Sequence, residues 1–128
     1  MQSNKVVIHF RDGSILKGTT SDFFLNKKSF HLNHMDGQIE EIDVDKLKAL
    51  FFVKDAEGKK DHVYKYDDVV AGGGKKLSVE FPDGETIIGY VLGYSPQRHG
   101  FIMTSADLGG NNERIYVVNS AVKNVQFL

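Results

Sequence analysis

The chain has 128 residues and a mass of 14.3 kDa, room for one domain or two very small ones. Hydrophobic residues make up 41% and charged residues 26%, too apolar for a disordered chain, and the absence of cysteine excludes disulfides, thiolate metal sites and thiol catalysis. Sixteen Lys+Arg against seventeen Asp+Glu leave a net charge of -1, which draws no nucleic acid from a distance.

No apolar run approaches the roughly 18 residues that cross a bilayer, and Met1 to Lys5 starts no stretch of signal-peptide length, so the expected compartment is the cytoplasm, with no membrane partner. The first element is a strand: Val6, Ile8 and Phe10 alternate with Val7, His9 and Arg11. Asp12-Gly13 follows, a hairpin signal read here as a type I′ turn. The return strand runs from Ser14 to Phe24 and contains Gly18, which marks a bend. A third strand carries Phe30 and Leu32, and a fourth lies near Gln38 to Val44. Asp45-Lys46 forms one turn of 3₁₀ helix, and a fifth strand carries Leu50 and Phe52. A helix over Val44 to Phe52 is the competing reading, but Phe51-Phe52-Val53 favours strand.

Residues 55–75 read as a linker, polar at Asp55 to Asp61 and ending in Gly72-Gly73-Gly74, with the alternation of His62 to Tyr66 marking a possible short strand. The glycines lack the Gly-Lys-Ser/Thr ending of a phosphate-binding loop. The pattern then starts again. Lys76 to Gly84 matches Lys5 to Gly13 at an offset of 71 (84 minus 13), and the same offset pairs Gly18 with Gly89, Phe23 with Tyr94, Phe30 with Phe101 and Leu32 with Met103. At the ends, Leu47 to Phe52 matches Val122 to Phe127 at an offset of 75 (127 minus 52), so the second copy holds about four extra residues, placed in the turn Asp107 to Asn112.

The expected fold is all-β: two tandem five-stranded Sm-like or SH3-like barrels, residues 1–54 and 76–128, with short 3₁₀ turns before the last strands. A barrel of about 50 residues is marginal alone, so the two should pack together. Strand, Asp-Gly, strand with a central glycine, and a fifth strand after a tight turn resemble the Sm-like fold, found in RNA-binding rings and in tandem-repeat proteins without an established RNA role. The whole chain is similar to an uncharacterised bacterial family with two such repeats, through Val7 to Gly13, Leu47 to Asp55, Leu92 to Pro96 and Asn111 to Lys123. That resemblance implies no activity. RNA-binding Sm proteins place Asp and Asn in the loop before the third strand and Arg-Gly near the fifth. Here the loops read Phe24 to Ser29, with Asn26 off position, and Ser95 to Gly100, and neither copy has Arg-Gly. A cyclic-dinucleotide PilZ reading fails too, since no Arg-x-x-x-Arg precedes the sheet.

Four groups of residues are candidate sites. His31, His34 and Asp36 could ligate zinc or nickel, but no fourth ligand is evident and Ile102 replaces His31 in the second copy, so ordinary surface histidines are the simpler reading. The acidic run Glu40, Glu41, Asp43 and Asp45 reads as a solvated strand face rather than an acid–base pair. Lys27 and Lys28, with Arg98 and His99 at matching loop positions, could meet phosphates while Phe23, Phe24, Tyr94 and Phe101 stack on bases, although the same rings would serve as core. Phe51 lies opposite the core residue Phe52, so with Val53, Tyr64 and Tyr66 it marks an interaction surface, between repeats or with another chain.

The function expected is a non-enzymatic binding or adaptor module that takes a protein or peptide through a sheet edge or the groove between barrels, without a cofactor and with a homo-oligomer possible. The alternative is single-stranded RNA binding.

Overall fold

A computed structural model describes residues 3–55, 58, 62–63 and 65–128. Ten strands run in chain order: β1 (Asn4–Phe10), β2 (Ile15–Thr20), β3 (Ser29–Asn33), β4 (Ile39–Asp43), β5 (Leu47–Val53), β6 (Lys75–Glu80), β7 (Thr86–Val91), β8 (Gly100–Ser105), β9 (Asn112–Val118) and β10 (Asn124–Phe127). One 3₁₀ turn, Val44–Lys46, precedes β5, and another, Asn119–Ala121, precedes β10. The described residues include no α-helix, and none is part of a helix long and apolar enough to cross a membrane.

The hairpins are built differently from the expected type I′ turns. Gly13 and Gly84 have positive φ but Asp12 and Asp83 do not. Phe10 N–H donates to the Ser14 carbonyl and Gly13 N–H to the Phe10 carbonyl, and Phe81, Gly84 and Glu85 repeat the pattern. These are three-residue loops with one left-handed glycine, and the aspartate Oδ1 accepts the N–H two residues on. Met35-Asp36-Gly37 makes the same turn between β3 and β4, so Asp36 is a turn residue, with its carboxylate occupied by Gln38 N–H.

All neighbouring strands are antiparallel and form a single open sheet in the order β10-β6-β7-β8-β9-β5-β1-β2-β3-β4. Each half keeps the same internal order: fourth, third, second, first, fifth. Two separate, closed five-stranded barrels are not what forms. The reason lies in β5. One of its edges pairs with β1, and the other pairs with β9 of the second half instead of β4 of its own. The bend at Gly18 is a close approach, since a Cβ there would run into the Asn33 carbonyl and the Leu32 side chain. Gly89 meets the Thr104 carbonyl in the same way. β2 accordingly ends at Thr20, short of the expected Phe24.

The two central strands are the most deeply buried: β5 has no solvent face, and β9 is buried from Ile115 to Val118. All seven residues of β5 are buried. Leu47, Leu50 and Phe52 enter one core with Val6, Ile8, Phe30, Leu32 and Ile42. Ala49, Phe51 and Val53 enter the other with Leu77, Val79, Phe81 and Met103. β9 alternates in the same manner, with Tyr116 and Val118 in the first core and Ile115 and Val117 in the second. Each half thus completes its core with a strand from the other.

Unfolding should therefore be cooperative across the whole chain. Phe51→Ala is expected to lower stability by about 3–5 kcal/mol, whereas Gln126→Ala, at the corresponding place on the exposed strand β10, stays within about 0.5 kcal/mol. Urea titration followed by far-UV circular dichroism reads both, and two separated transitions would contradict the shared wall.

Candidate functional site

At the junction of the halves, polar side chains clasp the ends of β5 and β9. Lys48 is only 8% exposed. Its Nζ donates to Asp83 Oδ2 at 2.7 Å and to Glu85 Oε1, and lies 4.6 Å from the Phe81 ring centre. Burial works against its charge, but the two carboxylates outweigh that and raise its pKa. Arg11 donates to Ser120 Oγ and to the Leu47 carbonyl. Arg114 lies over the Phe52 ring at 4.7 Å. Sequence reasoning missed Lys48, because a lysine in an alternating strand ordinarily faces water, and only the neighbouring hairpin makes its position internal.

Tyr116, His99 and Asp45 form a chain across the same junction. His99 Nδ1 is 3.2 Å from the Tyr116 hydroxyl and its Nε2 is 2.6 Å from Asp45 Oδ1. Burial, followed by the Asp45 charge, raises the Tyr116 pKa, and the bond from His99 lowers that of Asp45. The hydroxyl is thus kept protonated, which suits a hydrogen bond donor and opposes use as a base. His99 ties the β7–β8 loop to the first 3₁₀ turn, and the hydroxyl holds its ring against β9.

Between the halves runs a cleft of about 430 Å³ whose walls include His9, Ile15, Phe51, Val53, Tyr66 and Glu85. The His9 ring packs on Phe51 with centroids 4.5 Å apart. Burial lowers its pKa, which favours a neutral imidazole at pH 7. The other described histidines each meet a carboxylate: His31 with Asp22, His34 with Glu40, His62 with Asp107 and His99 with Asp45. Among the described residues no three His, Cys, Asp or Glu side chains gather as a metal would require.

The residues singled out from the sequence fall in different places. Phe51 and Val53 are each 5% exposed and belong to the second core, where they form a wall of the cleft rather than a free surface. Tyr66 lines the same cleft, and Tyr64 lies outside the described residues. Lys27 and Lys28 are exposed on the β2–β3 loop, with Lys27 over the Phe24 ring at 4.9 Å. Arg98 lies on the β7–β8 loop beside His99, which is held as described. Of the four candidate stacking rings, Phe23 packs against Phe30, Phe52 and Tyr116, and Tyr94 packs against Phe101. Phe24 alone is exposed. Glu40, Glu41 and Asp43 lie exposed on β4.

The segment 55–75 has no strand among its described residues before Lys75, and its anchor is the four-residue enlargement of the second half. Asp107 is buried and accepts from His62 Nε2 at 2.7 Å and Lys65 N–H at 2.9 Å. Asn111 exchanges two side-chain bonds with the Asp55 backbone, and Asp68 accepts from Leu108 N–H. Burial raises the Asp107 pKa, but the bonds from His62 and Lys65 outweigh it and the net shift is downward.

The sheet also ends in two free edges, β4 and β10. His34 N–H donates to the Gln38 carbonyl and Val44 N–H to the Lys28 carbonyl, and the antiparallel alternation between these bonds turns the backbone groups of Ile39, Glu41 and Asp43 away from β3. On β10, Leu128 N–H donates to the Lys76 carbonyl, so Val125 and Phe127 turn their backbone groups outward.

A carboxylate with a depressed folded pKa contributes stability above its unfolded pKa and loses it as pH falls through the folded value. Asp107→Asn should therefore lower stability by about 1–3 kcal/mol at pH 7, with the difference from wild type shrinking below about pH 4. Urea midpoints at pH 7 and pH 3 measure it, and an equal difference at both would contradict an ionised anchor.

No curated protein and no solved structure matches the chain. A family model described as "Family of unknown function (DUF6982)" matches residues 2–128. Covering all but the first residue, that match establishes that the chain belongs to the DUF6982 family.

Proposed function

We propose that the chain is a non-enzymatic binding module built of two tandem Sm-like or SH3-like units, which takes an extended polypeptide by strand addition at the edges of its sheet. The observation that carries this reading is the open end of the sheet at β4, where Ile39 and Glu41 offer outward N–H and C=O groups. Main-chain pairing of that kind needs no catalytic group. It also suits a chain whose Lys48–Asp83–Glu85 and Tyr116–His99–Asp45 clusters are taken up in holding its halves together. The acidic side chains Glu40, Glu41 and Asp43 repel an acidic strand and favour a neutral or basic one.

The nucleic-acid alternative draws less support. Lys27, Lys28 and Arg98 supply cations, but the rings needed for stacking are packed into the two cores except for Phe24.

Fluorescent peptides with alternating apolar and basic residues test the reading. Binding should slow hydrogen exchange at the Ile39 and Glu41 amides. Glu41→Pro, which removes an outward donor and no bond to β3, should weaken binding by about tenfold. Protection confined to the cleft around Phe51 would overturn edge addition.

A further inference from the structure

The β5–β9 junction is a template for a second one that a single chain leaves unmade. At the sequence offset of 75, β5 corresponds to β10, and the 3₁₀ turns Val44–Lys46 and Asn119–Ala121 align, which sets β4 against β9. Within the chain, the fifth strand of the first half pairs with the fourth strand of the second. The corresponding strands left over are the fifth of the second half and the fourth of the first, and these are the two free edges. We infer that β10 of one chain pairs antiparallel with β4 of a second copy, in the register of the internal junction. This rests on the strand-addition reading above and names its partner.

Three independent features meet in that register. The first is hydrogen bonding. In the internal junction Leu50 lies opposite Tyr116 and Phe52 opposite Arg114. The offset carries these pairs to Val125 opposite Glu41 and Phe127 opposite Ile39. Those four residues have their backbone groups pointing outward, on both strands, so the ladders match without a slip. Had the parity differed by one residue, the transfer would set blocked groups against blocked groups.

The second feature is apolar surface. Phe127 is 50% exposed and Ile39 68% exposed, so each edge strand presents a large apolar side chain to solvent. The transferred register sets them opposite each other, with Leu128, also exposed, next in line. In the internal junction the same position holds Phe52 under Arg114.

The third is charge. Lys48, which clasps Asp83 and Glu85, corresponds to Lys123, and Asp83 corresponds to Asp12. Lys123 and Asp12 are exposed. Asp12 spends Oδ1 on Ser14, as Asp83 spends Oδ1 on Glu85, while Asp83 Oδ2 receives Lys48. The acidic strand β4 disfavours pairing with another β4, whereas residues 123–128 carry a lysine and no acid. The contact joins unlike edges, so it is heterologous and leaves each pair with one free β4 and one free β10. Assembly then continues until it closes into a ring or stays open as a filament.

Sedimentation velocity of the full chain across a wide concentration range tests this. Wild type should sediment with a mass at least twice the 14.3 kDa of one chain, rising with concentration. Glu41→Pro disables β4 and Val125→Pro disables β10, each removing only an outward N–H, and circular dichroism checks that both remain folded. Each variant alone should be monomeric, and an equimolar mixture should form a heterodimer and nothing larger, because one live β4 and one live β10 remain. Monomeric wild type at all concentrations would overturn the inference, as would dimers of either variant alone, which mean that like edges pair. If wild type is monomeric yet basic peptides still protect the Glu41 amide, the strand-addition reading stands and only the choice of partner falls.

Discussion

Strand β5 has neither a free edge nor a free face, and the rest of the molecule is arranged around it. Its backbone is bonded to β1 on one side and β9 on the other, and its side chains alternate into two cores. A half of this size, alone, excludes little surface from water. Lending β5 to the second core and receiving β9 in return gives each half buried area that it cannot produce from its own residues. Stability, cooperativity and the relative placement of the halves then follow from one pair of strands.

Burying both faces of a strand pair leaves its ends to be managed, and the polar clasp does this. Lys48, Arg11, His99 and Arg114 all reach across the junction: Lys48 leaves the start of β5 for the β6–β7 hairpin, and the other three meet partners beside the ends of β5 or β9. These are the groups that would draw attention in a search for chemistry, notably Tyr116, His99 and Asp45. Their geometry serves attachment instead, with the tyrosine held protonated by burial. The same holds for the connecting segment, which Asp107 and Asn111 secure to the one turn in which the second half is longer than the first. The difference between otherwise parallel halves has a structural use.

Much of the fold was legible in the residues themselves. Alternation in Val6-Ile8-Phe10 and Leu77-Val79-Phe81 marks strands because the side-chain period of a strand is two. Asp-Gly marked both first hairpins, although the turn type differs, since a left-handed glycine alone suffices in a three-residue loop. The 3₁₀ turns and the strands after them also followed from local pattern. Phe51 was recognisable as an apolar side chain pointing away from its own core. Lys48, His9 and Asp107 were not legible as they stand, because each acquires its surroundings from residues more than thirty positions away.

The amino-acid sequence by itself determined the strands, the turns and the recurrence of one pattern in both halves, all of which depend on neighbours a few residues apart. The tertiary structure decided which strands share an edge. Hydrogen-bonding groups on every strand are alike, so pairing is chosen by burial and register over long separations. β5 has equal backbone capacity for its own β4 and for β9, and only the packing of two cores at once selects β9 and leaves the opposite edges open.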